Sequence, residues 1–335
     1  MIKDAINKVV NNESLSQEES SSAMNEIMSG KATPAQIASF ITALRMKGET
    51  IDEITGCAKV MREKVTIIKT KSEDVVDTCG TGGDGSHTFN ISTVSALVAA
   101  GAGVHIAKHG NRAVSSDCGS ADVLKALGVN IEAEADKVAK CVDEVGIGFL
   151  FAPLLHPAMK HAITPRREIG IRTVFNILGP LTNPAGAKYQ VLGVYDAKLT
   201  EPLAYVLKNL GSKHVFVVHG ADGLDEITVT DKTIISELKD GNVCSYVINP
   251  EDFGIPKASK SELIGGTIDE NARIALDILH GEKGAKRNIV LLNAGAAIVA
   301  GGRASNLEEG IRLAEESIDS DRALLKLEML IEASA

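Results

Sequence analysis

No CxxC pair occurs in this chain, and its five cysteines (Cys57, Cys79, Cys118, Cys141 and Cys244) are scattered and odd in number. That pattern argues against a disulfide framework and a structural zinc site and favours a reducing compartment, so a cytoplasmic setting is expected. The first twenty residues hold no apolar stretch followed by a small-residue cleavage site, so no secretory leader is expected. A long apolar run is missing too: the most apolar window, Ile289 to Ala300, is interrupted by Asn293 and Gly295 and is too short to span a bilayer. Basic charge is not in excess, with 35 Lys and Arg against 44 Asp and Glu, a net −9. Such a balance opposes non-specific attraction to nucleic acid or anionic membrane, and neither is expected as a partner. Low-complexity tracts and fixed-period repeats are absent.

What is present suits a globular protein. The 335 residues are 44% hydrophobic and 24% charged, enough for one large core or two smaller ones. The first seventy residues read as helices only. Ile2, Ala5, Ile6, Val9 and Val10 recur at helical spacing. Ser16 with Glu19 and Thr50 with Glu53 have the spacing of capping boxes, and Thr33 before Pro34 makes an N-cap and first-turn pair. Gly30 and Gly48 are the stops.

The texture changes at Val75. Candidate strands Val75–Cys79, Val104–Ala107, Ile147–Ala152, Gln190–Tyr195 and His214–His219 end in Gly-rich loops. Helical stretches Ser92–Ala100, Ala121–Leu127, Ala135–Val145 and Leu199–Leu210 lie between them, and the C-terminal third, with Asp269–Leu279 and Leu307–Ile318, is helix-rich. This alternation predicts an α/β fold, a mostly parallel central sheet flanked by helices, beside a small all-helical unit. Residues 156–186, with four prolines, read as a connection crossing between the two.

Strand Val75–Cys79 runs into Gly80-Thr81-Gly82-Gly83-Asp84-Gly85. Glycines there let backbone N–H groups approach an anion, and the helix that follows points its positive end at the same place. Gly80, Gly82 and Gly85 also satisfy the dinucleotide fingerprint. However, five residues separate the loop from its helix, and the next strand ends in Lys108-His109 rather than an acid, which counts against a nicotinamide enzyme. Asp84 beside a phosphate is useful if ribose hydroxyls donate to it or a metal lies near. Asn90, Ser92 and Thr93 add neutral donors and oxygen ligands. The second strand ends in Lys108-His109-Gly110-Asn111-Arg112-Ala113-Val114-Ser115-Ser116, two fixed cations with hydroxyl donors around a glycine, and strand ends of an α/β sheet collect such loops in one crevice. After the run His214–His219 comes Gly220-Ala221-Asp222-Gly223-Leu224-Asp225-Glu226, whose adjacent carboxylates could hold hard cations. Taken singly, the basic and acidic turns are as readily solvated loops.

Together, Gly80–Thr93 (GTGGDGSHTFNIST), Lys108–Ser116 (KHGNRAVSS), Gly119–Asp122 (GSAD), Phe175–Pro184 (FNILGPLTNP) and Gly223–Glu226 (GLDE) resemble the anthranilate phosphoribosyltransferase family over essentially the whole chain. The resemblance implies a nucleoside-phosphorylase-like fold. Residues 1–72 with 165–186 would form a small helical dimerisation domain, and 73–164 with 187–335 a large α/β domain. It implies a transferase that moves the 5-phosphoribosyl group of phosphoribosyl diphosphate to the amine of anthranilate in tryptophan biosynthesis, as a homodimer with two Mg²⁺ per subunit. The donor would meet Gly80, Gly83, Asp84, Thr88, Asn90, Ile91, Ser92, Thr93, Lys108, Asn111, Arg112, Ser115, Ser116 and Ser120. Anthranilate would meet Gly80, Asn111 and Arg166, and the metal Ser92, Asp225 and Glu226. Lys108 would be the electrostatic catalyst, with no residue acting as acid or base. His109 is either an aid to the aromatic ring or a surface or core histidine. A pyrimidine nucleoside phosphorylase would share the Gly loop but not GLDE or KHGNR. A nucleic-acid-binding relative would show a basic groove and lack the acidic ligands.

Overall fold

The computed structural model describes residues 1–112 and 118–335. Four helices come first: α1 (Ile2–Val10), α2 (Gln17–Met28), α3 (Pro34–Lys47) and α4 (Ile51–Glu63). Capping boxes at Ser16, Thr33 and Thr50 start the last three, and Gly48, at φ 88°, stops α3. Glu53 reaches beyond its own box. Its buried carboxylate accepts from the Thr50 and Leu15 backbones at 2.8 and 2.9 Å and from Lys47 Nζ at 2.9 Å, which ties the start of α4 to the entry of α2 and the end of α3.

Then strands and helices alternate: β1 (Val75–Gly80), α5 (Ile91–Gly101), β2 (His105–Gly110), α6 (Ser120–Ala126), α7 (Ala135–Lys140) and β3 (Ile147–Phe151). A crossover follows, with α8 (Ala152–Leu155), α9 (Lys160–Ile169) and α10 (Phe175–Leu178), so the proline-rich stretch is mostly helical rather than an open connection. The chain returns through β4 (Tyr189–Gly193), α11 (Thr200–Asn209), β5 (His214–Gly220), β6 (Thr233–Lys239) and β7 (Asn242–Ile248). It ends in α12 (Ile268–Leu279), α13 (Ala285–Ala300), α14 (Leu307–Asp319) and α15 (Arg322–Ser334).

The seven strands form one sheet in the order β3-β2-β1-β4-β5-β6-β7, parallel through β5. The last two are an antiparallel hairpin that the strand–helix pattern did not predict. It turns at Asp240-Gly241, both with positive φ (50° and 75°), the two-residue turn that matches strand twist. Alternate residues of β4 and β5 feed two cores, as the period of two demands. Val191, Phe216 and Val218 pack with α5 and α13, whereas Leu192, Val215 and Val217 pack with α11, the four N-terminal helices and Ala162, Val174 and Phe175 of the crossover. The apolar window at 289–300 is the all-round buried helix α13. Among the described residues no helix is long and apolar enough to cross a membrane.

Candidate active site

The order of the sheet decides where a site can form. From β1 the chain winds one way to β2 and β3 and the other way to β4 and β5, leaving a crevice outside the C-terminal end of β1. β1, β2, β4 and β5 all end there in glycine: Gly80, Gly110, Gly193 and Gly220. Two of these make room for the acidic loop. A Cβ on Gly80 would fall 2.3 Å from Asp225 Oδ2, and one on Gly193 would fall 1.6 Å from the Asp225 carbonyl oxygen. Asp225 therefore lies directly on the ends of β1 and β4, and the Gly82 N–H donates to its carboxylate at 2.8 Å.

The acidic side is under-neutralised. Burial, then the charge of Asp84, pushes the Asp225 carboxyl up to about 6. Burial, then Asp225, pushes Glu226 well above the ordinary carboxylate range, against the pull of Lys108 and a backbone N–H from Ser92. The loop is shaped from behind by Asp222, which accepts from Leu224 N at 3.2 Å, from Thr228 Oγ1 at 2.8 Å and from the Thr230 hydroxyl.

The basic side is built differently. Lys108 is 2% exposed, and its Nζ donates to the Thr78 carbonyl at 2.5 Å and to Ser92 Oγ at 3.2 Å. Burial lowers its pKa, opposed first by Asp77 and also by Cys79 and Glu226. Asp77 is a fully buried acid on β1 that accepts from the His109 N–H at 3.0 Å and from Asn183. His109 proves to be a core residue. Its Nε2 lies 3.1 Å from His156 Nε2, and burial holds the two rings neutral, at about 3 and about 4.

Between these sides stands the start of α5, with Asn90 as N-cap and Ile91, Ser92 and Thr93 in its first turn. Asn90 Nδ2 is used, donating to Cys118 O at 3.0 Å, but its Oδ1 and the Thr93 hydroxyl are buried with no partner among the described residues. Buried polar atoms left unpaired facing a crevice are suited to a polar ligand. Thr88 is held by a bridge to Ile264, and Ser120 Oγ donates to Asn111 O at 3.2 Å. Gly83 and Asp84 lie in the loop itself. The structure turns Arg112 elsewhere: its guanidinium lies 3.6 Å from both Asp122 and Glu132 and over the Phe151 ring. Ser115 and Ser116 lie outside the described residues. Arg166, on α9, stacks over Phe175 at 5.0 Å. Burial lowers its pKa, and among the described residues no acid pairs with it.

Among the described residues, no three His, Cys, Asp or Glu side chains already converge as a metal cage. The donor set still suits a hard cation. Asp84 is close enough to raise the proton affinity of both Asp225 and Glu226, and the Ser92 hydroxyl is adjacent. Mg²⁺ typically takes one or two carboxylates and fills its octahedron with water and phosphate oxygens.

Three residues here were not singled out by strand and loop reading: Asp77, Arg172, which donates to the Gly83 carbonyl, and Tyr195, under the Arg172 guanidinium. Asp77 alone shows a local oddity, a charge inside the apolar strand Val75–Gly80.

Sequence models of two domains cover nearly all of the chain: a glycosyl transferase family helical bundle domain over residues 3–65, and the a/b domain of that family over residues 72–324. The anthranilate phosphoribosyltransferase of Acetivibrio thermocellus is 58% identical over 332 residues, covering 99% of this chain and 96% of that protein. The enzyme of the same name from Pelotomaculum thermopropionicum matches over the same shares, also at 58%. Among solved structures, anthranilate phosphoribosyltransferase from Thermus thermophilus superposes with a TM-score of 0.93 at 43% identity, covering 98% of this chain and 99% of that one. The Saccharomyces cerevisiae enzyme, solved with phosphoribosyl diphosphate and Mg, gives 0.90 at 30% identity, covering 99% and 97%.

Proposed function

The chain belongs to the anthranilate phosphoribosyltransferases, and we propose on that premise how its residues share the reaction. The protein transfers the 5-phosphoribosyl group from phosphoribosyl diphosphate to the amine of anthranilate, giving N-(5-phosphoribosyl)anthranilate and pyrophosphate in tryptophan biosynthesis. One observation carries the assignment of roles: buried Lys108 and the α5 N-terminus lie beside half-buried Asp225 and Glu226, whose carboxyls burial and neighbouring acid charge raise.

In the reaction the ribose C1–O bond to diphosphate breaks, a C1–N bond forms, and the amine loses a proton. Charge grows on the leaving diphosphate, and Lys108 with the N–H groups of the Gly loop and first turn of α5 is placed to stabilise it. The Asn90 side-chain oxygen Oδ1 and the Thr93 hydroxyl find their missing partners in the donor. Ser92, Asp225 and Glu226 would hold Mg²⁺, which neutralises diphosphate charge when bound; two ions per subunit are part of this proposal. An aromatic amine is uncharged at neutral pH, so no strong base is required. Arg166, a half-buried guanidinium with no acid against it among the described residues, receives the anthranilate carboxylate bidentately and turns the amine toward C1. Gly80 and Asn111 complete that pocket.

The helical unit, residues 1–72 with 165–186, is read as the dimerisation domain of a cytoplasmic homodimer. Val10 and Met46 expose apolar surface on it at 60% and 83%. Sedimentation at micromolar concentration is expected to show about twice the 35.2 kDa chain mass; a fully active monomer would overturn the dimer.

The activity is tested by mixing the protein, Mg²⁺, phosphoribosyl diphosphate and anthranilate and following loss of anthranilate fluorescence. Absence of turnover, with phosphorolysis of a pyrimidine nucleoside instead, would replace this reading.

A further inference from the structure

The glycine loop is not free to choose its shape. At its start, the Thr81 N–H donates to Gly193 O at 2.9 Å, and Thr81 Oγ1 accepts from the Tyr195 N–H at 3.1 Å. The Gly82 N–H is committed to Asp225. At Gly83 the control comes from another part of the chain. Arg172, between α9 and α10, donates from its guanidinium to the Gly83 carbonyl, and its Cζ lies 4.4 Å from the centre of the Tyr195 ring. A Cβ at Gly83 would sit 3.0 Å from an Arg172 nitrogen, and with φ of 74° there the position favours glycine. The contacts close a ring: the Tyr195 N–H to the Thr81 hydroxyl, the Arg172 guanidinium over the Tyr195 ring, and Arg172 to the Gly83 carbonyl.

We propose that Arg172 is a positioning residue for the phosphoribosyl donor, which it serves by turning the Gly83–Asp84 peptide rather than by touching the substrate. In a trans peptide, C=O and N–H point in opposite directions. Holding the Gly83 carbonyl on the crossover side therefore directs the Asp84 N–H the other way. With φ of 74° at Gly83, the loop has the left-handed geometry in which successive N–H groups form an anion-binding concavity. A planar guanidinium suits this task because it can stack on a ring and donate in its own plane at once, which an ammonium cannot. The Tyr195 ring lies near Arg45 and Glu49 at the end of α3, so the device stands where helical unit, crossover and sheet meet. The shape of the donor loop thus depends on the same crossover that carries Arg166, the residue read as holding the acceptor.

This inference rests on the donor reading of the glycine loop, and the test separates the two. Calorimetric titration of phosphoribosyl diphosphate with Mg²⁺ into the full-length wild-type protein checks the donor reading alone; no binding there would sink it. Given wild-type binding, Arg172→Ala is expected to weaken donor binding by about tenfold, the usual worth of one charge-assisted hydrogen bond, and to leave the anthranilate KM within about twofold. Arg172→Lys is expected to recover only part of the loss, and Tyr195→Phe to behave as wild type. Should Arg172→Ala fail to fold, Tyr195→Leu removes the platform alone and is expected to shift donor binding in the same direction. Unchanged donor binding, or an anthranilate KM that moves while the donor constant stays, would overturn the proposal.

Discussion

Lys108 and the Asp225–Glu226 pair face one crevice from opposite sides, yet the fold provides for them in opposite ways. The cation has a carbonyl, a hydroxyl and a buried counter-charge in Asp77. The carboxylates have backbone N–H donors, and Glu226 the pull of Lys108, but burial and neighbouring acid charge outweigh these and raise both. Arg166 resembles them in mirror image, a partly buried cation with no acid beside it among the described residues. Charge that is balanced within the protein supports the fold as well as the chemistry. Charge left unbalanced marks where something else must bind, a cation at the acidic pair and a carboxylate at Arg166.

The contrast breaks most visibly at the acidic pair. Asp225→Asn with Glu226→Gln is expected to lower turnover by about 1,000-fold, since it removes the metal's carboxylates, while the melting midpoint measured without Mg²⁺ holds or rises as repulsion is relieved. Near-normal turnover at limiting Mg²⁺ would remove these residues from the metal site. Lys108→Met is the converse test. Turnover is expected to fall about 100-fold and stability by about 2–3 kcal/mol, because Asp77 loses its counter-charge. Chemical denaturation checks this, and adding Asp77→Asn should restore part of the stability and none of the rate. If Lys108→Met melted like wild type, the idea of an internally balanced basic side would fail.

Arg166→Ala is expected to raise the anthranilate KM by about tenfold or more with donor binding nearly intact, whereas Arg167→Ala, its exposed neighbour, changes the KM less than about twofold. A donor constant that moves instead would place the acceptor elsewhere. The smallest effect concerns pH. His109 and His156, behind Lys108, have folded pKa values depressed to about 3 and about 4 from the ordinary 6.5. Between those values the unfolded chain binds protons that the native state does not. Their contribution to stability is therefore fully present above about 6.5 and is lost as pH falls toward 4. His156→Gln should flatten that acid limb of the melting profile, and an unchanged limb would argue against a neutral buried pair.

Much of this architecture could be read before any coordinates were at hand. The four N-terminal helices announce themselves through Ser16, Thr33, Thr50 and the stop at Gly48, because caps are local chemistry. The glycine loop and the acidic turn are legible for a similar reason: close backbone approach restricts which residues can stand there. The β6–β7 hairpin was missed although its signal, Asp240-Gly241 between alternating residues, lay in the open. Asp77 and Arg172 were hidden for a physical reason. What Asp77 does depends on the pairing of β1 with β2, and Arg172 meets a residue 89 positions away. Contacts set by tertiary register leave no mark at either end. Asp222 hides in plain sight, since an acid in a turn looks the same whether it is solvated or braces a loop from within.

The carbonyl of Asp225, seated where a side chain at position 193 would begin, has a consequence for inheritance. With 1.6 Å between that oxygen and any Cβ, even alanine at 193 would displace the acidic loop by more than an ångström. Position 193 therefore behaves as a catalytic position in a saturation scan although it need touch neither substrate nor metal. A first- or second-base change in its codon cannot leave glycine in place, so it should be recorded as a loss of activity. Lineages diverging from this chain can exchange Val191 or Leu192 for another apolar side chain that fills the same core, but not the one place where the last residue of β4 has nothing to offer but space.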